Sequence, residues 1–128
     1  MFKGISVVVV PVKNRKKAIE FYKKKLGMKV ATDAADMNWV ELAVPKSKGT
    51  TIALIQPDPK WGKKMYEDTV KFIGENTGII FNTDDIKAAY KELKEKGVNI
   101  SKPEKQEWGG WWAEFEDLDG NEYGLAQE

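Results

Sequence analysis

The sequence predicts an α+β fold made of two tandem βαβββ modules. Three observations carry the prediction: β-branched runs alternate with amphipathic helical stretches, a cap-helix-stop pattern recurs about seventy residues further on, and a polar stretch separates the copies. At 128 residues the chain fits one domain, with a first module at 1–56, a linker or lid at 57–76 and a second module at 77–128. Such a length buries a hydrophobic core without disulfides or a structural metal.

Residues Ile5 to Val12 form a β-branched run with Pro11 near its end, which predicts a buried strand whose last residues leave the ladder. A helix follows, with Asn14 as N-cap, an apolar stripe of Ala18, Ile19, Phe21, Tyr22 and Leu26, and Gly27 where a left-handed C-terminal residue is wanted. Three strands are predicted at Lys29 to Ala34, Asn38 to Pro45 and Thr50 to Ile55, with Lys46-Ser47-Lys48-Gly49 as the clearest turn. Pro57 to Asn76 is polar, contains Pro57, Pro59 and Trp61, and has a helical stretch near Met65 to Ile73. The pattern then repeats: a strand at Gly78 to Thr83, an N-cap at Asp84, a helical face of Ile86, Ala89, Tyr90 and Leu93, and a stop at Gly97. Strands near Asn99 to Ser101, Gly110 to Glu116 and Glu122 to Gln127 complete the second module.

Composition excludes several classes of function. There is no cysteine and no histidine, so disulfide scaffolds, zinc-thiolate sites and histidine- or cysteine-based triads are ruled out. Net charge is +1, and the 21 basic residues are spread among 20 acidic ones, which does not favour a nucleic-acid partner. The basic clusters Arg15-Lys16-Lys17 and Lys23-Lys24-Lys25 share one amphipathic helix, where lysine stems solvate the outer face. No apolar run approaches the roughly eighteen residues of a membrane span, and Met1-Phe2-Lys3-Gly4 is unlike a signal peptide, so a cytoplasmic protein is expected.

Ala18-Ile19-Glu20-Phe21-Tyr22 followed by Leu26-Gly27, and Phe115-Glu116-Asp117-Leu118-Asp119-Gly120-Asn121 followed by Tyr123 and Leu125, resemble the glyoxalase, bleomycin-resistance and dioxygenase superfamily, also called vicinal oxygen chelate proteins. The resemblance spans nearly the whole chain and rests on the order and spacing of these motifs together with the internal duplication. It implies curved mixed sheets that form a shared cleft, commonly completed in a homodimer. In metal-dependent members the ligands come from the first and fourth strands of each half, and most are His or Glu. The resemblance puts those positions at Val7, near Ala53, at Gly78 and at Gly124, none of which has a donor side chain. A one-residue shift in register would bring Ser6 or Glu122 toward the cleft, yet two oxygen groups are too few for a good site. No metal and no cofactor are expected.

Strand parity separates the helix-facing residues from the opposite set. Val40, Leu42 and Val44 suit a helix-facing side, as do Trp111, Ala113 and Phe115, which leaves Trp39 with Glu41 and Trp112 with Glu114 on the other faces. Both halves thus offer Trp-x-Glu. Indole faces attract cations and stack on planar groups, and a nearby carboxylate adds to that preference. The expected function is binding, as a sequestering or carrier protein, of a flat, amphipathic ligand that can carry positive charge. Trp39 and Trp112 would sandwich it, Glu41 and Glu114 would serve as charge partners, and Trp61 would close from the linker. Two alternatives stay open. One is a glyoxalase-like lyase or isomerase using Glu114 or Glu41 as general base, its catalytic residues otherwise unknown. In the other, the tryptophans serve the core or a dimer interface.

Overall fold

Four consecutive valines start the first sheet: β1 (Val7–Pro11) runs parallel to β4 (Thr51–Ile55), a pairing that needs a crossover, and α1 (Arg15–Lys24) begins it. The computed structural model describes the whole chain, Met1–Glu128, as two compact units, Met1–Ile73 and Gly74–Glu128. In the first unit β3 (Trp39–Ala43) and β2 (Lys29–Ala34) add in antiparallel fashion to give the order β1-β4-β3-β2. Pro11 does not end the ladder. It lies opposite Ile55, and the Val12 N–H still donates to the Ile55 carbonyl at 2.9 Å, because β1 is an edge strand where the missing proline N–H costs no ladder bond.

The Asn14 side chain accepts from the Lys17 N–H, and the chain leaves the helix through Gly27 at φ +68°. Ala18 and Tyr22 of α1 are fully buried, as are Val40 and Leu42 of β3 and Leu54 of β4, so one face of the sheet and one stripe of the helix make the core.

The second unit repeats the plan. β5 (Asn76–Asn82) is parallel to β8 (Glu122–Gln127), and β7 (Trp111–Glu116) and the short β6 (Glu104–Lys105) complete the order β5-β8-β7-β6. Its core holds Ile86 of the second crossover helix together with Ala113, Phe115, Tyr123 and Leu125, and the Phe81, Phe115 and Tyr123 rings lie 5.3 to 5.7 Å apart. The segment predicted as a strand near Asn99 to Ser101 forms only a single bridge, Ile100 to Phe115, and the edge strand lies further on at Glu104–Lys105.

Between the sheets, a 3-10 turn at Pro59–Trp61 leads into α2 (Lys63–Lys71), which starts and ends two residues earlier than the periodicity suggests. α3 (Ile86–Glu95) is capped by Asp85 rather than Asp84: the Asp85 carboxylate accepts from the Ala88 N–H at 3.0 Å, while the Thr83 hydroxyl accepts from Asp85 N–H. The two caps, Asn14 and Asp85, are 71 residues apart. No helix is long and apolar enough to cross a membrane.

Candidate functional site

β3 and β7 hold equivalent places in their sheets. Trp39 lies opposite Ile55 and Glu41 opposite Ala53, while Trp112 lies opposite Ala126 and Glu114 opposite Gly124. Ile55 and Ala126, like Ala53 and Gly124, are 71 residues apart, so the two Trp-x-Glu segments are in equivalent register. Within each segment the indole N–H donates to the carboxylate two residues on, at 3.0 Å from Trp39 to Glu41 and 3.3 Å from Trp112 to Glu114. The parity assignment holds within both strands, whereas Val44, assigned to the helix-facing side, lies beyond β3 and is 42% exposed. Val40 and Leu42, and Ala113 and Phe115, are buried between these residues, and Lys87 of α3 sits 4.7 Å from the Trp111 ring, which fixes Trp111 on the helix side.

The carboxylates differ in their neighbours. Glu41 accepts through both oxygens, from the Trp39 indole and from the Thr51 hydroxyl at 2.9 Å. Glu114 accepts from the Trp112 indole alone, and the place equivalent to Thr51, 71 residues on, is Glu122. Glu122 needs no shift of register to reach this face. It lines a cavity of about 180 Å³ with Asn76, Gly78, Ile80, Trp112 and Glu114. Ile80, 60% exposed, is its apolar wall.

The Trp112 ring lies directly over Gly124, where a Cβ would fall 2.2 Å from the indole. Trp61 is half-buried and lines a separate shallow hollow with Met65 and Asp68 of α2 and its C-cap Phe72, which includes neither Trp39 nor Glu41. Each Trp-x-Glu pair is thus brought together within its own module. Sequence reasoning did not assign Asn76, Ile80 or Glu122 to the site; the 71-residue offset applied to Thr51 points to the last of these.

Val7, Ala53, Gly78 and Gly124 carry no donor, the Trp112 ring fills the space a side chain at 124 would enter, and no group of three or more His, Cys, Asp or Glu is placed to hold a metal ion.

Comparison with known proteins agrees with this architecture. The chain is 30% identical over 131 aligned positions to the uncharacterized protein YetH of Bacillus subtilis (strain 168), which covers 99% of this chain and 100% of that one. Its structure is similar to that of a superfamily member from Sphaerobacter thermophilus DSM 20745, with TM-score 0.86, 35% identity and coverage of 100% and 99% of the two chains. It is also similar to TnmS3, an antibiotic binding protein from Streptomyces sp. CB03234, with TM-score 0.78, 29% identity and coverage of 98% and 96%. The profile of the Glyoxalase/Bleomycin resistance protein/Dioxygenase superfamily matches residues 4–125, and with two βαβββ modules in register beneath that match, the chain belongs to this superfamily.

Proposed function

We propose that the protein is a metal-independent small-molecule-binding protein that sequesters or carries a flat, amphipathic ligand, with a preference for cationic ones. The observation that carries the reading is the Trp112 indole, packed against Gly124 and tied to Glu114 at the edge of a cavity of about 180 Å³. An indole face with an adjacent carboxylate favours planar and positively charged groups, by about 0.5 to 2 kcal/mol per cation-π contact. Trp39, Glu41, Trp61, Trp112 and Glu114 are the proposed ligand-binding residues, in a cytoplasmic homodimer that uses no cofactor. The similarity to an antibiotic binding protein supports a binding role over a catalytic one.

Titration of tryptophan fluorescence with a panel of basic aromatic compounds tests the proposal. Quenching should saturate, and Trp112→Ala should raise Kd by about threefold or more. Absence of quenching across the panel, or the same Kd after Trp112→Ala, overturns it. A second reading takes Glu114, which accepts from the Trp112 indole through one oxygen, as a general base through the other. Turnover that survives a chelator and is lost in Glu114→Gln would favour a lyase or isomerase over sequestration.

A further inference from the structure

The internal repeat permits a comparison of one module with the other, position by position. In the first module the diagonal neighbour of Glu41 on the adjacent strand is Thr51, and the 2.9 Å bond between them shows that side chains at these two places meet. In the second module the same two places hold Glu114 and Glu122. A neutral donor has been replaced by a second carboxylate. Like charges at adjacent sheet positions destabilise the folded state when nothing compensates them.

No cation pairs with them, and the one side-chain donor that meets either carboxylate is the Trp112 indole on Glu114. The protein's four ion pairs use Asp33, Glu20, Asp68 and Glu92, so neither Glu114 nor Glu122 is paired with a lysine or arginine. Glu116, directly opposite Glu122, is already engaged by the Asn99 side-chain amide at 2.9 Å. The cavity supplies the remaining elements: the Trp112 ring, the exposed Ile80 and the Asn76 side chain.

On the reading of this face as a ligand site, we propose that Glu122 is a specificity-determining residue, which with Glu114 selects ligands bearing a protonated amine on a flat aromatic body. The indole wall binds the ring and the carboxylate pair binds the ammonium or amidinium hydrogens. The first module makes no such demand, since the Thr51 hydroxyl already satisfies the second oxygen of Glu41.

Two probes of the same ring and different charge separate shape from charge: 9-aminoacridine, a cation at neutral pH, and acridine, neutral there. Binding to the full chain is followed by tryptophan quenching. Glu122→Thr, which recreates the first module's arrangement, and the milder Glu122→Gln should each weaken 9-aminoacridine by about three- to fivefold, as expected for a carboxylate contact at a solvent-accessible site. Acridine affinity should stay within about twofold, which also reports an intact pocket, and the difference between the probes should shrink as salt is raised. Unchanged 9-aminoacridine affinity in both variants, or equal weakening of the two probes, overturns the role of Glu122 while leaving the binding reading in place. If the unaltered protein binds neither probe, the binding reading fails and this assignment with it.

Discussion

Asn121 is fully buried and its side chain works in two directions: its amide donates to Asp117 at 2.9 Å and its carbonyl accepts from the Gly74 N–H at 2.8 Å. Asp117, also buried, accepts in turn from the backbone N–H groups of Asp119 and Asn121. The Asp-Leu-Asp-Gly-Asn stretch is visible in the sequence as a turn, but its burial and its tie to Gly74 are not, because the partner lies 47 residues away. Asn121→Ala removes the only side-chain amide that meets both groups and should cost about 2 to 4 kcal/mol in urea unfolding. A cost under about 0.5 kcal/mol would mean that water replaces the amide and that the turn is not a structural tie. Gly124 is the other position where one atom decides much. Gly124→Ala drives a methyl into the Trp112 ring, so we expect the fold to persist with a loss of about 1 to 3 kcal/mol and a red-shifted tryptophan emission. An unshifted spectrum would show that the indole does not rest on residue 124.

Each crossover helix begins beside a glutamine at the end of its module's last strand, Gln56 directly after β4 and Gln127 in β8. Gln56 accepts from the Arg15 N–H at 2.8 Å and Gln127 from the Ile86 N–H at 2.6 Å, both at a separation of 41 residues. These side chains satisfy one of the orphan donors of the first helical turn, in addition to the Asn14 and Asp85 caps. Gln56→Ala and Gln127→Ala should each cost about 0.5 to 2 kcal/mol, and the double variant should be additive within about 0.5 kcal/mol because the two helices cap separately. Strong non-additivity in chemical unfolding would contradict separate caps. The caps Asn14 and Asp85 are of a type that sequence reasoning identifies, and the choice between Asp84 and Asp85 turned on Thr83, whose hydroxyl takes the Asp85 N–H. On the outer face of α1, the hydrogen bond and charge of Lys24 lower the pKa of Glu20, and the same partner effects raise that of Lys24. The pair is fully exposed, so its contribution is small. It is present above the ordinary carboxylate range, fades as pH falls through the lowered Glu20 value, and fades again at alkaline pH as Lys24 loses its proton.

For the molecule as a whole, the ligand-count argument predicts that dialysis against a strong chelator leaves the thermal unfolding midpoint unchanged, with no stoichiometric transition metal in purified protein. Zinc, nickel or iron found at one equivalent per chain, or a midpoint that falls with the chelator, would reverse that conclusion. The βαβββ plan and the placing of each tryptophan on the same strand face as the glutamate two residues on were legible beforehand; the hydrogen bond between them was not. The plan and the strand faces depend on periods of 2 and 3.6 residues and on caps and stops within one helical turn, which are local properties of the chain. The placement of Trp112 over Gly124, the glutamine caps and the sharing of one cavity by Glu122 and Glu114 were not legible. Each depends on which residues of separate strands come opposite one another. That register is set by packing the whole sheet against its helix rather than by any local pattern.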